Sequence, residues 1–194
     1  NDVQLMVIHS DEDYAAYSTK HYLKQIGDGN MIQSEVNATK YSYQRYNQEG
    51  NDNYIYWNGA GGMNNVSRID QTGDMNTAYV TLASINNWTN YTKVDIDQVG
   101  SYNEVDIDIN GYGNGDTNFS GYDAGIVVQQ TGDDNLVVGS NGFGFTIAGD
   151  NNFLMVKQIG NANTAAGFIV GDDNTARIYQ TGNNNFASVQ ISAY

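Results

Sequence analysis

The six-residue pattern Gln-x-Gly-x-x-Asn occurs seven times in 194 residues, and recurrence at a near-constant period constrains a fold more than any single residue does. Its copies open at Gln25, Gln48, Gln71, Gln98, Gln130, Gln158 and Gln180, in steps of 23, 23, 27, 32, 28 and 22 residues. They close at Asn30, Asn53, Asn76, Asn103, Asn135, Asn163 and Asn185, and their third positions are Gly27, Gly50, Gly73, Gly100, Gly132, Gly160 and Gly182. Units of this length are the building blocks of solenoids, in which each unit touches only its neighbours. A stack of one repeated unit is therefore expected, spanning residues 1–194 as a single solenoid.

Strand side chains point alternately to two faces, so a strand on either side of the motif must keep a two-residue phase. The phase holds. Even offsets before Gln carry Leu23, Ile69, Val94, Ile96, Ile126, Val128, Leu154, Val156, Ala176 and Ile178. Even offsets after Asn carry Ile32, Val36, Ile55, Ala78, Val80, Leu82, Val105, Ile107, Ile109, Val137, Ala165, Ile169, Ala187, Val189 and Ile191. The charged Lys20, Lys24, Arg45, Arg68, Asp70, Lys93, Asp95, Asp97, Lys157, Arg177, Glu35, Glu104, Asp106 and Asp108 fall on odd offsets. A one-residue slip would bury every one of them.

Each repeat thus reads as strand, tight Gly/Asn arc, strand and second arc, with the motif Gln and Asn inside. The second arcs carry a weaker trace at Gly149 to Asn152 and Gly171 to Asn174. Glycine supplies the positive-φ positions such corners need. The reading is an all-β, parallel, in-register β-solenoid of about seven to eight two-strand rungs, roughly 35 Å tall at about 4.8 Å per rung. Asn1, Val3, Leu5 and Val7 begin in phase as half a rung. Residues 110–125, rich in Gly, Asn, Asp and Ser, form a loop insertion that explains the longest step. Tyr46, Trp57 and His21 sit at inward positions, where a thin core would hardly admit a ring, so a bulge or shifted register is expected at each.

A buried primary amide left without partners costs about 1–3 kcal/mol. Its cheapest partner is its own copy one rung away, donating on one side and accepting on the other. The motif Gln and Asn are accordingly the candidate structural ladder. An end rung is also an open sheet edge, which proline, a helix or inward charge would blunt. The chain has no Pro, and the pattern runs strand-like from Gln180 almost to Tyr194, so the edge is expected to pair with another copy, head to tail.

Composition excludes several alternatives. A net charge of -14 repels nucleic acid, and no stretch is long and apolar enough to span a membrane. The chain opens without a basic, apolar leader, which fits a mature or trimmed secreted chain. With no Cys there is neither a disulfide nor thiol chemistry, and His9 and His21 have no nucleophile elbow beside them, so no catalytic residue is assigned. Asp133 with Asp134, and Asp172 with Asp173, invite a calcium reading, but the tandem Gly-Gly-x-Gly-x-Asp of calcium-binding β-rolls is absent, so solvated turn aspartates, no metal and no cofactor are expected. The run Asp11-Glu12-Asp13 is read as a solvated loop. Sequons at Asn37, Asn65, Asn87, Asn90 and Asn118 matter only in a eukaryotic secretory route. Outward Tyr22, Tyr43, Tyr54, Tyr56, Tyr79 and Tyr179 form candidate lateral contact stripes, or simply reflect β-propensity.

The pattern, with Ala or Val two places beyond Asn, resembles the curlin repeat of bacterial curli fibres. Gln158-Ile-Gly-Asn-Ala-Asn163-Thr-Ala165 and Gln180-Thr-Gly-Asn-Asn-Asn185-Phe-Ala187 are its clearest copies. The resemblance implies a secreted functional amyloid of Gram-negative bacteria that polymerises at the cell surface as biofilm matrix and adhesive fibre. The partners it implies are the chain itself, a nucleator subunit, periplasmic chaperones and an outer-membrane secretion channel. The repeats depart from the family in number and spacing, and often lack its second Gly, as in Gly73-Asp-Met-Asn76. Major subunit and minor nucleator are both open, the even repeats favouring the major one. The competing readings are a monomeric ice- or surface-binding solenoid and, third, a polysaccharide-cleaving β-helix. An ice binder needs an outward Thr ladder, whereas these faces mix Lys, Asp, Tyr and Met.

Overall fold

The computed structural model describes residues 1–8, 20–37, 39–40, 43–59, 62–63, 66–82, 93–110, 125–139, 144–149 and 152–192. Residues 111–124 of the expected insertion, His9, the acidic run 11–13, Tyr194 and the sequons at 65, 87, 90 and 118 lie outside them. The first strands are β1 (Asp2–Ile8), β2 (Lys20–Ile26), β3 (Met31–Asn37), β4 (Thr39–Lys40), β5 (Tyr43–Glu49) and β6 (Tyr54–Gly59). Then follow β7 (Gly62–Met63), β8 (Val66–Thr72), β9 (Thr77–Leu82), β10 (Lys93–Val99), β11 (Glu104–Asn110) and β12 (Ile126–Thr131). The last are β13 (Leu136–Gly139), β14 (Phe145–Ala148), β15 (Phe153–Ile159), β16 (Thr164–Val170), β17 (Thr175–Thr181) and β18 (Phe186–Ser192). Among the described residues there is no helix.

Strands that end on the motif Gln form one sheet, in the order β2-β5-β8-β10-β12-β15-β17, here the Gln sheet. Strands that follow the motif Asn form the other, β1-β3-β6-β9-β11, then β13 and β14 sharing one level, then β16 and β18: the Asn sheet. Short β4 and β7 pair separately. All pairings are parallel, and the motif Gln faces the next motif Gln in each Gln-sheet register. The steps of 27 and 32 residues leave this register intact, because Ile69 still pairs Ile96 and Ile96 pairs Val128. Extra residues fall between strands, where they shift no side chain to the wrong face.

The two sheets close on one apolar core. Ile32, Ile55, Ala78, Val105, Val137 and Ala165 line it from the Asn sheet, and Ile69, Ile96, Val128, Val156 and Ile178 from the Gln sheet, all buried. Burying each large aliphatic side chain contributes about 1.5–3 kcal/mol.

The expected bulges at Tyr46, Trp57 and His21 are absent, and that expectation is corrected here. Tyr46 stays in register between Leu23 and Ile69, Trp57 between Ser34 and Val80, and both are buried. Their rings pack against one another with centroids 6.4 Å apart and planes tilted by 42°. The Tyr46 hydroxyl lies 3.2 Å from Ser67 Oγ. Serine at inward positions 34 and 67 takes little volume and leaves the core room for two rings. His21 is likewise in register with Gln44, and its Nδ1 donates to Gln44 Oε1 at 2.9 Å.

Candidate assembly ladders and edges

The seven motif Gln side chains stack in one column. Each Nε2 donates to the Oε1 of the next Gln: Gln25 to Gln48 at 2.8 Å, Gln48 to Gln71 at 2.9 Å, Gln71 to Gln98 at 2.8 Å, Gln98 to Gln130 at 3.0 Å, Gln130 to Gln158 at 3.0 Å and Gln158 to Gln180 at 2.8 Å. The second proton goes to a carbonyl of the facing sheet, as from Gln48 to Met31 O at 3.1 Å and from Gln71 to Tyr54 O at 3.1 Å. Gln48, Gln71, Gln98, Gln130 and Gln158 are fully buried, so both protons are needed to offset desolvation.

The motif Asn side chains form a second column running the other way. Nδ2 of Asn53, Asn76, Asn103, Asn135, Asn163 and Asn185 donates at 2.9–3.1 Å to the Oδ1 of the preceding Asn. The same Oδ1 accepts the backbone N–H of the later Asn, for example Asn103 N–H to Asn76 Oδ1 at 3.1 Å. The other Nδ2 proton reaches the glycine carbonyl of the following arc, as from Asn103 to Gly132 O at 2.7 Å. The Gln column donates toward the C-terminal end and the Asn column toward the N-terminal end.

The arcs repeat the same logic. Backbone bonds continue the sheet ladder through them, Gly100 N–H to Thr72 O at 2.9 Å and Tyr102 N–H to Asp74 O at 3.0 Å. Gly100 has φ +121°, and a Cβ there would collide with the carbonyl oxygen of Gly132 in the arc above. The fifth motif position is also left-handed. Besides Gly29 it is held by Asp52, Met75, Tyr102, Asp134, Ala162 and Asn184, with φ of 54–59°. Glycine is thus absent from this position in six of the seven copies, and stacking on a neighbouring arc imposes the conformation on residues that resist it by about 1–2 kcal/mol.

Reading the sequence for Gln and Asn missed a third column, at the fourth motif position. Asp28 N–H donates to Asn51 Oδ1 (2.9 Å), Asn51 N–H to Asp74 Oδ1 (2.7 Å) and Asp74 N–H to Ser101 Oγ (3.4 Å). Ser101 N–H continues to Asp133 Oδ1 (2.8 Å), Asp133 N–H to Asn161 Oδ1 (3.0 Å) and Asn161 N–H to Asn183 Oδ1 (2.8 Å). Its signal was visible, since that position holds Asp, Asn or Ser in all seven copies. Asp133, weighed above as a calcium ligand, thus holds an arc amide, and no cluster of three or more potential metal ligands occurs among the described residues. The second arcs carry a shorter version, with Asn152 Nδ2 donating to Gly171 O at 2.8 Å and Asn174 N–H to Asn152 Oδ1 at 3.1 Å.

At its two ends the Asn column stops in complementary states. Asn1 takes the Asn position below Asn30: its Oδ1 accepts Asn30 N–H at 3.3 Å and its Nδ2 donates to Gly27 O at 2.8 Å. The Nδ2 proton that an internal Asn gives to the preceding Oδ1 has no acceptor at Asn1 among the described residues. At the other end, Asn185 donates to Asn163 Oδ1 at 2.9 Å, and its own Oδ1 has no donor there. Gln180 spends one proton on Thr164 O at 3.0 Å. The edge strands β1 and β2, and β17 and β18, each pair on one side alone among the described residues.

The outer faces carry the charge. Arg68 lies 2.6 Å from Asp70 and 3.5 Å from Asp95. Burial raises the carboxyl pKa of Asp95, Asp97, Asp106 and Asp108. The Lys24 ammonium bonds Glu49 and lowers its pKa.

Compared with known proteins, the chain matches the curlin associated repeat at residues 149–176 and 171–193. No curated protein and no solved structure matches it.

Proposed function

We propose that this chain, which matches the curlin associated repeat over residues 149–176 and 171–193, is a self-assembling subunit of a curli-like extracellular fibre. In this reading it is secreted by a Gram-negative bacterium and polymerises at the cell surface as an adhesive biofilm matrix. Its principal partner is another copy of itself, with a nucleator subunit, periplasmic chaperones and an outer-membrane channel serving export and initiation. Repeats of one pattern and the lack of a distinct basic end favour the major subunit over the nucleator.

The observation that carries the reading is the match between the two ends. Placing β1 of one copy against β18 of another continues the parallel Asn sheet, and the free Asn1 Nδ2 proton then meets the open Asn185 Oδ1. Backbone groups along β18 gain the partners that interior strands have, and a joint of this kind is heterologous and open, so it repeats without limit.

The test is growth of the purified chain followed by thioflavin fluorescence, with and without seeds, and fibre diffraction of the product. Seeded growth with a reflection at about 4.7–4.8 Å along the fibre supports the proposal. In parallel, Ala187→Lys places a charge at an inward position of the last strand, where it reaches water in an isolated copy but is buried under an incoming β1. The variant should keep its β-rich fold and cap seeds at that face. A β-rich wild-type monomer that ignores seeds would overturn the proposal and favour a monomeric surface-binding solenoid.

A further inference from the structure

Tyrosines on the outer faces are paired across neighbouring strands. On the Asn sheet, Tyr54 of β6 and Tyr79 of β9 have ring centroids 5.5 Å apart with planes tilted by 60°, and Tyr56 lies 6.4 Å from the same Tyr79. On the Gln sheet, Tyr22 of β2 and Tyr43 of β5 are 5.8 Å apart with a tilt of 55°. At these centroid distances the two rings of a pair are in side-by-side reach, and the tilt means that they are not stacked face to face. Each pair joins strands of successive levels, held at fixed separation by the sheet registers. Tyr102, at 57% exposure, and Tyr179, at 61%, are open to solvent but have no ring partner among the described residues.

We propose that Tyr54 with Tyr79, and Tyr22 with Tyr43, are sites of oxidative dityrosine formation within one copy of the chain. The oxidant is hydrogen peroxide acting through a haem peroxidase. Each phenol gives up one electron and its hydroxyl proton to become a phenoxyl radical. The two radicals join through ortho carbons in a new carbon–carbon bond. The ortho hydrogens then move to the oxygens, restoring two phenols. In sum, two tyrosines and one peroxide give one dityrosine and two waters. The product covalently staples successive levels of a stack otherwise held by hydrogen bonds and burial.

The proposal concerns bonds inside one copy and stands whether or not copies assemble. Its test is treatment of the folded monomer with peroxidase and peroxide, followed by peptide mass spectrometry for cross-links lighter by two hydrogen atoms. The expected result is dominant intrachain Tyr54–Tyr79 and Tyr22–Tyr43 cross-links. Tyr79→Phe, which keeps the ring but cannot form the radical, should lose the first and retain the second. Coupling led by Tyr102 or Tyr179, or the same pattern from the urea-unfolded chain, would overturn it.

Discussion

Replacing a motif glycine by alanine separates backbone strain from stacking, because the same motif position has different company at the end and in the middle of the array. At Gly182, φ is +101° and the nearest atom to an added Cβ is Asn185 Nδ2 at 3.5 Å. Gly182→Ala therefore meets strain alone, about 1–2 kcal/mol for positive φ, offset by about 0.4–1 kcal/mol from the stiffer unfolded chain. A net loss of about 1 kcal/mol is expected. At Gly100, φ is similar at +121°, but the Cβ would stand 2.7 Å from the Gly132 carbonyl carbon, with its oxygen nearer still, and 3.0 Å from Asp133 Oδ1. The arcs must part, which strains Gly132 N–H to Val99 O (2.9 Å), Ser101 N–H to Asp133 Oδ1 (2.8 Å) and Asn103 Nδ2 to Gly132 O (2.7 Å). At about 1 kcal/mol for each bond, Gly100→Ala should cost about 4 kcal/mol in all. Urea unfolding of the two monomers, with hydrogen exchange at the arc amides, measures the difference. Losses agreeing within about 0.5 kcal/mol would refute the claim that arc-on-arc contact, and not φ, is what demands glycine.

Further outcomes follow from the ladders and the acidic faces. Asn103→Ala should cost about 3–4 kcal/mol in urea unfolding, since it leaves the Asn135 backbone N–H, the Asn135 amide and the Gly132 carbonyl short of partners, whereas Asn185→Ala at the open end should cost under about 1 kcal/mol. Burial raises the folded-state pKa of Asp95, Asp97, Asp106 and Asp108, so the folded chain holds these protons more tightly than the unfolded one. Their stabilising effect is complete below the unfolded value of about 3.9 and is lost as pH rises through the raised folded values. The urea midpoint should thus be higher near pH 4 than near pH 7, and Asp97→Asn should flatten that dependence; a midpoint that falls steadily on acidification would contradict it.

The parallel strands and their two-residue phase were legible because the chain states them many times over. A side chain's face depends only on its distance from the nearest Gln or Asn, so even the 32-residue step left Gln98 opposite Gln130. The rings were not legible in the same way. Judged alone, Tyr46 and Trp57 look too large for a thin core, and they fit because inward Ser34 and Ser67 leave space beside them. That compensation joins residues from different repeats and different sheets, whereas a repeat-by-repeat reading compares like with like. The fourth-position column was legible but overlooked, since Asp, Asn and Ser in a turn also satisfy the simpler account of solvated corners. The direction in which each column donates is a property of amide orientation and has no counterpart in residue identity.

That direction bears on electrostatics over distance. An amide carries a dipole of about 3.5 D, and dipoles aligned head to tail add until they act as opposite fractional charges at the two tips, as in a helix. A lone Gln column would polarise the molecule along its axis, with a positive tip beyond Gln180 and a negative one below Gln25. The Asn column lies antiparallel beside it and places the opposite sign at each tip. The side-chain dipoles therefore largely cancel, and the two amide columns add almost nothing to the potential met by an approaching copy, which is left to the charged outer faces.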